Sequence, residues 1–232
     1  MTSIRRIQAV FMKDYRDLLK NAYMLSTAIV PLFFAFMLNQ EGEIETTAAF
    51  LPIILSMVIV GSFIQAGVIA EEKEKNTLRG LLLSPLNTTE IFIGKSLLST
   101  VLSIMMIVAV IFIGNISMPD QTLLAAAATL ISLAVFISLG TIVGLVSRTV
   151  METSVIGIPV LFIFGMGEII QTMIESELVI DVMGYLPDQQ YGQLLLNLRE
   201  GQAVGEPFFV LSMWVVVSVG LTILIYKKRR FD

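Results

Sequence analysis

The chain has 232 residues, 56% of them hydrophobic and only 15% charged, whereas ordinary soluble domains run about 45–50% apolar and about 25% charged. With a mean hydropathy of +0.85 and a formal charge of −4, that much apolar surface cannot be hidden in one water-soluble core of this size. The reading is an all-α integral membrane protein, a single transmembrane domain over residues 1–232, with no nucleic-acid partner. Cysteine and histidine are absent, which excludes disulfides, thiolate or imidazole metal sites and Cys- or His-based catalytic dyads. No catalytic residue and no metal are expected.

In chain order, the first 20 residues carry five basic side chains and no long apolar run. At about 100° per residue, Ile4, Ile7, Val10, Phe11, Leu18 and Leu19 share one face with Tyr15 at its centre, while Arg5, Arg6, Lys13, Arg16 and Lys20 gather on the other. This predicts an amphipathic helix lying in the plane of the membrane, its basic face toward headgroups and cytoplasm. Asp14 falls at the border of the apolar face. It is expected to lean out to water; an ion pair with the first cytoplasmic loop is the alternative.

A transmembrane helix needs about 20 mostly apolar residues. Six segments qualify: 21–38, 49–70, 90–116, 122–146, 154–173 and 207–226. The first is the shortest, and Pro31 is expected to bend it. With six spans every Lys and Arg except Arg199 lies on one side, which makes that side cytoplasmic and puts both termini there. Five or seven spans would scramble the separation.

Between the second and third spans, residues 71–95 predict a charged lead-in and then a short helix with Leu78, Leu81 and Leu82 on one face. Pro85 stops that helix, because its ring and missing N–H cannot continue the ladder. Asn87 caps the third span, with Glu90 in capping-box register. A mere linker needs no leucine face, so this one must meet another protein surface or the headgroup layer. Before the last span, residues 174–206 hold two apolar blocks, 178–186 and 191–198, separated by Pro187-Asp188. Each is too short to span. Two short external helices, dipping into the outer leaflet or capping a cavity, are expected.

Residues 71–95 resemble the first cytoplasmic loop of the type-2 ATP-binding-cassette (ABC) exporter permeases. Glu72, Glu74, Lys75, Thr77, Leu78, Leu81, Leu82, Ser84, Pro85, Ile91, Gly94 and Lys95 stand at the places of that family's E-x-E-K-G-T-L-E-x-L-L-x-S-P and I-x-x-G-K pattern. Asn76 replaces the usual glycine and Arg79 the usual acid. The layout of in-plane helix, six spans, short helices before the last span and basic C-terminus is also similar. The resemblance implies the membrane subunit of an ABC exporter in the bacterial cell membrane. It makes the loop a coupling helix docked in a groove of a separate ATPase through Glu72, Thr77, Leu78, Leu81, Leu82, Ser84 and Pro85. It further implies two ATPase copies, a second permease chain, identical or homologous, and contact with membrane lipid. ATP and Mg would be bound by the partner, and no cofactor by this chain.

Gly94-Lys95-Ser96 imitates the end of a P-loop, but G-x-x-x-x-G-K-[ST] needs glycine at position 89, where Thr89 stands, and a preceding strand. The chain is therefore not read as an ATPase. Glu168 and Gln171, near the outer end of the fifth span, are either a solvated helix end or part of the exit path or permease–permease seam, the seam being the better functional choice. Gly140-x-x-x-Gly144 permits close helix approach and is expected to serve packing inside the protomer rather than dimerisation. The scarcity of Trp and Tyr in the spans suits an amphipathic or lipid-like cargo. Alternatives are a non-transporting regulatory membrane subunit and a sodium- or ion-exporting member of the same family. An intramembrane protease is disfavoured by the lack of histidine, and a stand-alone channel or secondary transporter by the lack of mid-membrane charges, broken helices and an internal repeat.

Overall fold

The computed structural model describes residues 3–41, 47–75 and 88–229, and among these every regular element is helical. Helix α1, Ser3–Lys20, contains no glycine or proline. The first span follows in two pieces, α2 (Ala22–Thr27) and α3 (Ile29–Glu41). Asn21 caps it by accepting from the Met24 N–H at 3.2 Å. Pro31 has no N–H to offer the Thr27 carbonyl and its ring crowds that carbonyl. The helical ladder accordingly breaks at Ala28, whose N–H turns back to the Leu25 carbonyl while its dihedrals stay near-helical (φ −67°, ψ −13°).

The second span is the pillar of the fold. A 3₁₀ turn, Thr47–Phe50, leads into α4 (Leu51–Leu55), a π-helical stretch (Ser56–Ile64) and α5 (Gln65–Glu74). Its apolar portion is 94% buried, against 11% for the last span, so the other helices are wrapped around it. It also runs further than expected: Glu71–Glu74, taken from the sequence as the start of a loop, are its last helical turn.

Around the pillar stand α6 (Thr88–Ile113), α7 (Thr122–Val146), α8 (Val150–Gly165) and α12 (Gly205–Arg229). Among the described residues, five helical stretches are long and apolar enough to cross a membrane: Ala22–Gln40, Leu51–Glu74, Glu90–Ile113, Thr122–Val146 and Gly205–Lys228. The expected span over 154–173 differs. Its helix α8 has 16 residues, about 24 Å at 1.5 Å per residue against a hydrocarbon core of about 30 Å. The chain then breaks at Met166 (φ −129°, ψ 19°), flanked by Gly165 and Gly167, before the short α9, Gly167–Thr172.

Residues 174–206 do contain two helices, α10 (Glu177–Gly184) and α11 (Pro187–Glu200). Pro187 opens α11 rather than separating two blocks, its missing N–H being one the first turn leaves unused anyway. Only α10 is a surface helix, with Leu178 and Val182 exposed. In α11, Tyr191, Leu194, Leu195 and Leu198 join the main core with Phe50, Ile53 and Phe136, and the Tyr191 hydroxyl lies 3.0 Å from Thr129 Oγ1. Gly201 closes α11 in the left-handed conformation (φ 70°), which glycine adopts without steric cost.

Gly140 and Gly144 let α7 touch the pillar. A Cβ on Gly140 would sit 2.2 Å from the Ser62 carbonyl oxygen, and one on Gly144 2.7 Å from that of Ala66. The motif thus serves packing inside the protomer, as expected. Backbone cannot yield as a side-chain tip can, so Gly140→Ala must push two helices apart. The expected loss is about 1–3 kcal/mol, read as a lower midpoint of thermal unfolding in detergent. Gly220→Ala, where a Cβ meets nothing within 4 Å, is the matched control and should melt like the parent.

Polar groups stitch the same helices. The buried Gln65 donates to Thr141 Oγ1 at 3.1 Å and accepts from Ser99 Oγ at 2.7 Å, while Ser62 Oγ donates to the Phe136 carbonyl at 2.5 Å. Such bonds between membrane helices contribute about 0.6 kcal/mol on average.

Candidate functional site at the charged end of the bundle

The helices that bracket residues 76–87 meet in a cluster of charge. Lys95, about two turns into α6, is 1% exposed, and its Nζ lies 3.1 Å from Asp14 Oδ2 and 3.0 Å from Glu72 Oε1. Lys13 Nζ reaches the same Glu72 oxygen at 2.8 Å, and Asp14 Oδ1 at 3.2 Å. Burial alone would lower the Lys13 pKa, but the hydrogen bond and charge of Glu72, followed by those of Asp14, raise it well above the ordinary lysine value. Asp14 therefore does not lean out to water. It is 2% exposed, because a desolvated carboxylate is tolerable only beside cations, and two are supplied. Its Lys95 partner stands at the far end of the 71–95 segment.

The Gly94-Lys95 pair makes this possible. A Cβ on Gly94 would lie 2.9 Å from the Val10 side chain and 3.2 Å from the Ile7 carbonyl. The bare glycine lets α1 settle against α6, and the next residue then delivers its ammonium to Asp14. Ser96, third of the P-loop-like residues, sits 3.5 Å from Gln65 Nε2. Nearer the start of α6, Glu90 accepts from Ser3 Oγ at 2.6 Å and pairs with Arg6 at 3.6 Å. Hence α1 is held to α6 at both ends. Of the five basic residues expected on its outer face, Arg6 and Lys13 turn to protein carboxylates, whereas Arg5, Arg16 and Lys20 remain exposed.

Glu72 is the one residue of the expected ATPase-facing set that the structure describes. Its Oε1 faces inward to Lys13 and Lys95. Thr77, Leu78, Leu81, Leu82, Ser84 and Pro85, and the Asn87 cap, lie outside the described residues. So does the side chain of Glu168, whose backbone belongs to α9. Gln171, on the same helix, is half-buried. A cavity of about 150 Å³ opens between α1 and α5, lined by Lys13, Asp14, Asp17, Glu71, Glu72 and Lys75. Among the described residues no group of three or more His, Cys, Asp or Glu could hold a metal ion.

A ring contact and hydrogen bonds bring other described basic residues to this end. Phe92, near the start of α6, packs edge-on against Tyr226 at 4.9 Å, which brings Lys227 and Lys228 alongside. Lys73 reaches the α7 terminus at Ser147, next to Arg148. Sequence reasoning missed the work of Lys73 and Glu74, because the charged run looked like solvated loop. A second cavity, about 310 Å³ and almost wholly apolar, lies between the first and second spans and α8, where Val30, Phe34, Leu55, Phe63, Ile158 and Leu161 line it. Its polar feature is the contact of Tyr23 Oη with Ser154 Oγ at 2.6 Å.

What this arrangement can do is mechanical: it ties the two stems of one loop to α1 and to the pillar of a membrane bundle. No curated protein matches the chain. The family model described as ABC-2 family transporter protein matches residues 18–226, from the end of α1 to the last turns of α12. The chain therefore belongs to the ABC-2 transporter family and is a multi-pass membrane protein of the ABC transporter permease type.

Proposed function

We propose that this chain is the membrane subunit of an ATP-driven exporter, crossing the bilayer six times with both termini in the cytoplasm. In this reading residues 76–87 dock a separate ATPase. The observation that carries it is the gathering of α1, the loop stems, Arg148 and the C-terminal basic residues at one end of the bundle. Chain ends that share one side require an even number of crossings. Among the described residues five helices are long enough, and α8 with α9, joined across the break at Met166, supplies the sixth. The end rich in Lys and Arg is the cytoplasmic one. A stiff pillar ending at the docking segment suits transmission of nucleotide-driven movement. The apolar cavity beside α8 suits an amphipathic or lipid-like cargo, with ATP and Mg bound by the ATPase.

Two copies of this chain, or this chain and a homologue, would meet through the first and fifth spans and carry two ATPases. Purification in mild detergent with the ATPase co-expressed, followed by native mass measurement, tests this. The expected mass is that of two permease and two ATPase chains. A transport-competent single chain without any ATPase would contradict it.

A further inference from the structure

Three consecutive residues at the end of α5 point in three directions, since successive helical positions are turned by about 100°. Glu72 faces Lys13 and Lys95. Lys73 Nζ donates to the carbonyls of Leu145 at 2.7 Å and Ser147 at 2.6 Å. Glu74 Oε2 accepts from the Val150 N–H at 3.0 Å. The second contact lies at the C-terminus of α7, where the last carbonyls have no partner within the helix and the macrodipole favours a cation. The third lies at the first residue of α8, where N–H groups are left over and a carboxylate is favoured.

The short connection between those helices is braced from its own side as well. Thr149 Oγ1 accepts from the Glu152 N–H at 3.1 Å, and Glu152 Oε2 accepts in return from the Arg148 N–H at 2.6 Å, a capping box shifted by one residue. The connection is thus a rigid knot. It is gripped by the last turn of the helix that leads into residues 76–87. Beyond the knot, α8 is built to yield: Pro159 lies within it, it ends at the Met166 break, and it forms one wall of the 310 Å³ cavity through Ile158 and Leu161. Gly157 lets it lie flat on the Phe63 ring, which a Cβ would meet at 2.9 Å.

We infer that Lys73 and Glu74 are positioning residues for transport, which couple displacement of the loop stem to α8 and so to the wall of the apolar cavity. The inference rests on the proposed role of residues 76–87. Glu72 ties the stem to α1; Lys73 and Glu74 tie it to the α7–α8 connection. The stem drives two bodies at once.

The chain has no cysteine, so spin labels can be placed singly. Labels at Val155→Cys on α8 and Lys75→Cys on the stem are each paired with Phe112→Cys at the far end of α6, where Val155 and Phe112 are 69% and 80% exposed. Distances are measured in the complex with its ATPase, in nanodiscs, with and without nucleotide. In the parent both pairs should shift. In Lys73→Met with Glu74→Ala the Lys75 shift should persist and the Val155 shift should be lost, with the ATPase still co-purifying. The conservative pair Lys73→Arg with Glu74→Gln keeps a donor and an acceptor at each place and should behave as the parent. A parental Val155 shift in the Met/Ala variant would overturn the inference. Absence of the Lys75 shift in the parent itself would overturn the docking role of the loop, and the inference with it.

Discussion

Replacing Lys95 by methionine is expected to be the most damaging single change in the described part of the protein. Methionine keeps the length of the side chain and removes the charge. Asp14 and Glu72, both 2% exposed, would then lose their buried shared cation, while Lys13, which also pairs with both, has a side chain 40% exposed. Removing one member of a buried ion cluster leaves uncompensated charge out of water, at a cost of about 3–5 kcal/mol. The readout is the thermal midpoint in one detergent, which should fall well below that of the parent. The triple variant Lys95→Met, Asp14→Asn, Glu72→Gln discharges the whole cluster and should recover most of the loss, since neutral replacements of buried pairs often cost little. If single and triple variants melt together, Lys95 contributes packing and the ion cluster contributes nothing.

The fold was legible in the sequence where apolar length was the deciding quantity. The span over Thr122–Val146 and the two helices before the last span follow from run length and turn residues alone. Three features were not legible, each for a physical reason. The fifth span looked continuous because Gly165-Met166-Gly167 is apolar enough for hydropathy while its backbone leaves the helical ladder. Glu71–Glu74 looked like loop because composition marks them polar, yet each of these side chains has a partner that keeps the helix going. Asp14 reads first as solvated, because its buried cation Lys95 is 81 positions away; the alternative, an ion pair with residues 71–95, is the one that holds. The available clue was a carboxylate on an apolar helix face together with a lysine entering a membrane helix, a pair whose cheapest solution is each other.

The candidate site was legible as a location and less so as a mechanism. Spacing identified residues 71–95 as the informative loop, and Gly94-Lys95 as part of its pattern. Only the structure shows that the glycine makes room for α1 and that the lysine fills the gap with charge. Periodicity also put Arg6 and Lys13 on the headgroup-facing side of α1, but Glu90 and Glu72 attract them more strongly at short range than a headgroup layer would, because the intervening medium is protein.

The central claim, that residues 76–87 couple this permease to an ATPase, rests on the leucine face that periodicity predicts for Leu78, Leu81 and Leu82, in the segment between two anchored stems. Leu82→Asp places a carboxylate in what should be an apolar groove, where it loses hydration and gains no partner. The cost is at least ~1–3 kcal/mol, which converts to about a 5- to 150-fold loss of ATPase association. Arg79→Ala, off the leucine face, should change association much less. The direct measurement is the amount of ATPase co-purifying with the parent, Leu82→Asp and Arg79→Ala at equal membrane expression, with transport followed in parallel. The account predicts that Leu82→Asp alone loses both ATPase and transport. Undiminished ATPase binding and transport in Leu82→Asp would mean that the leucine face packs on lipid headgroups, and would contradict it.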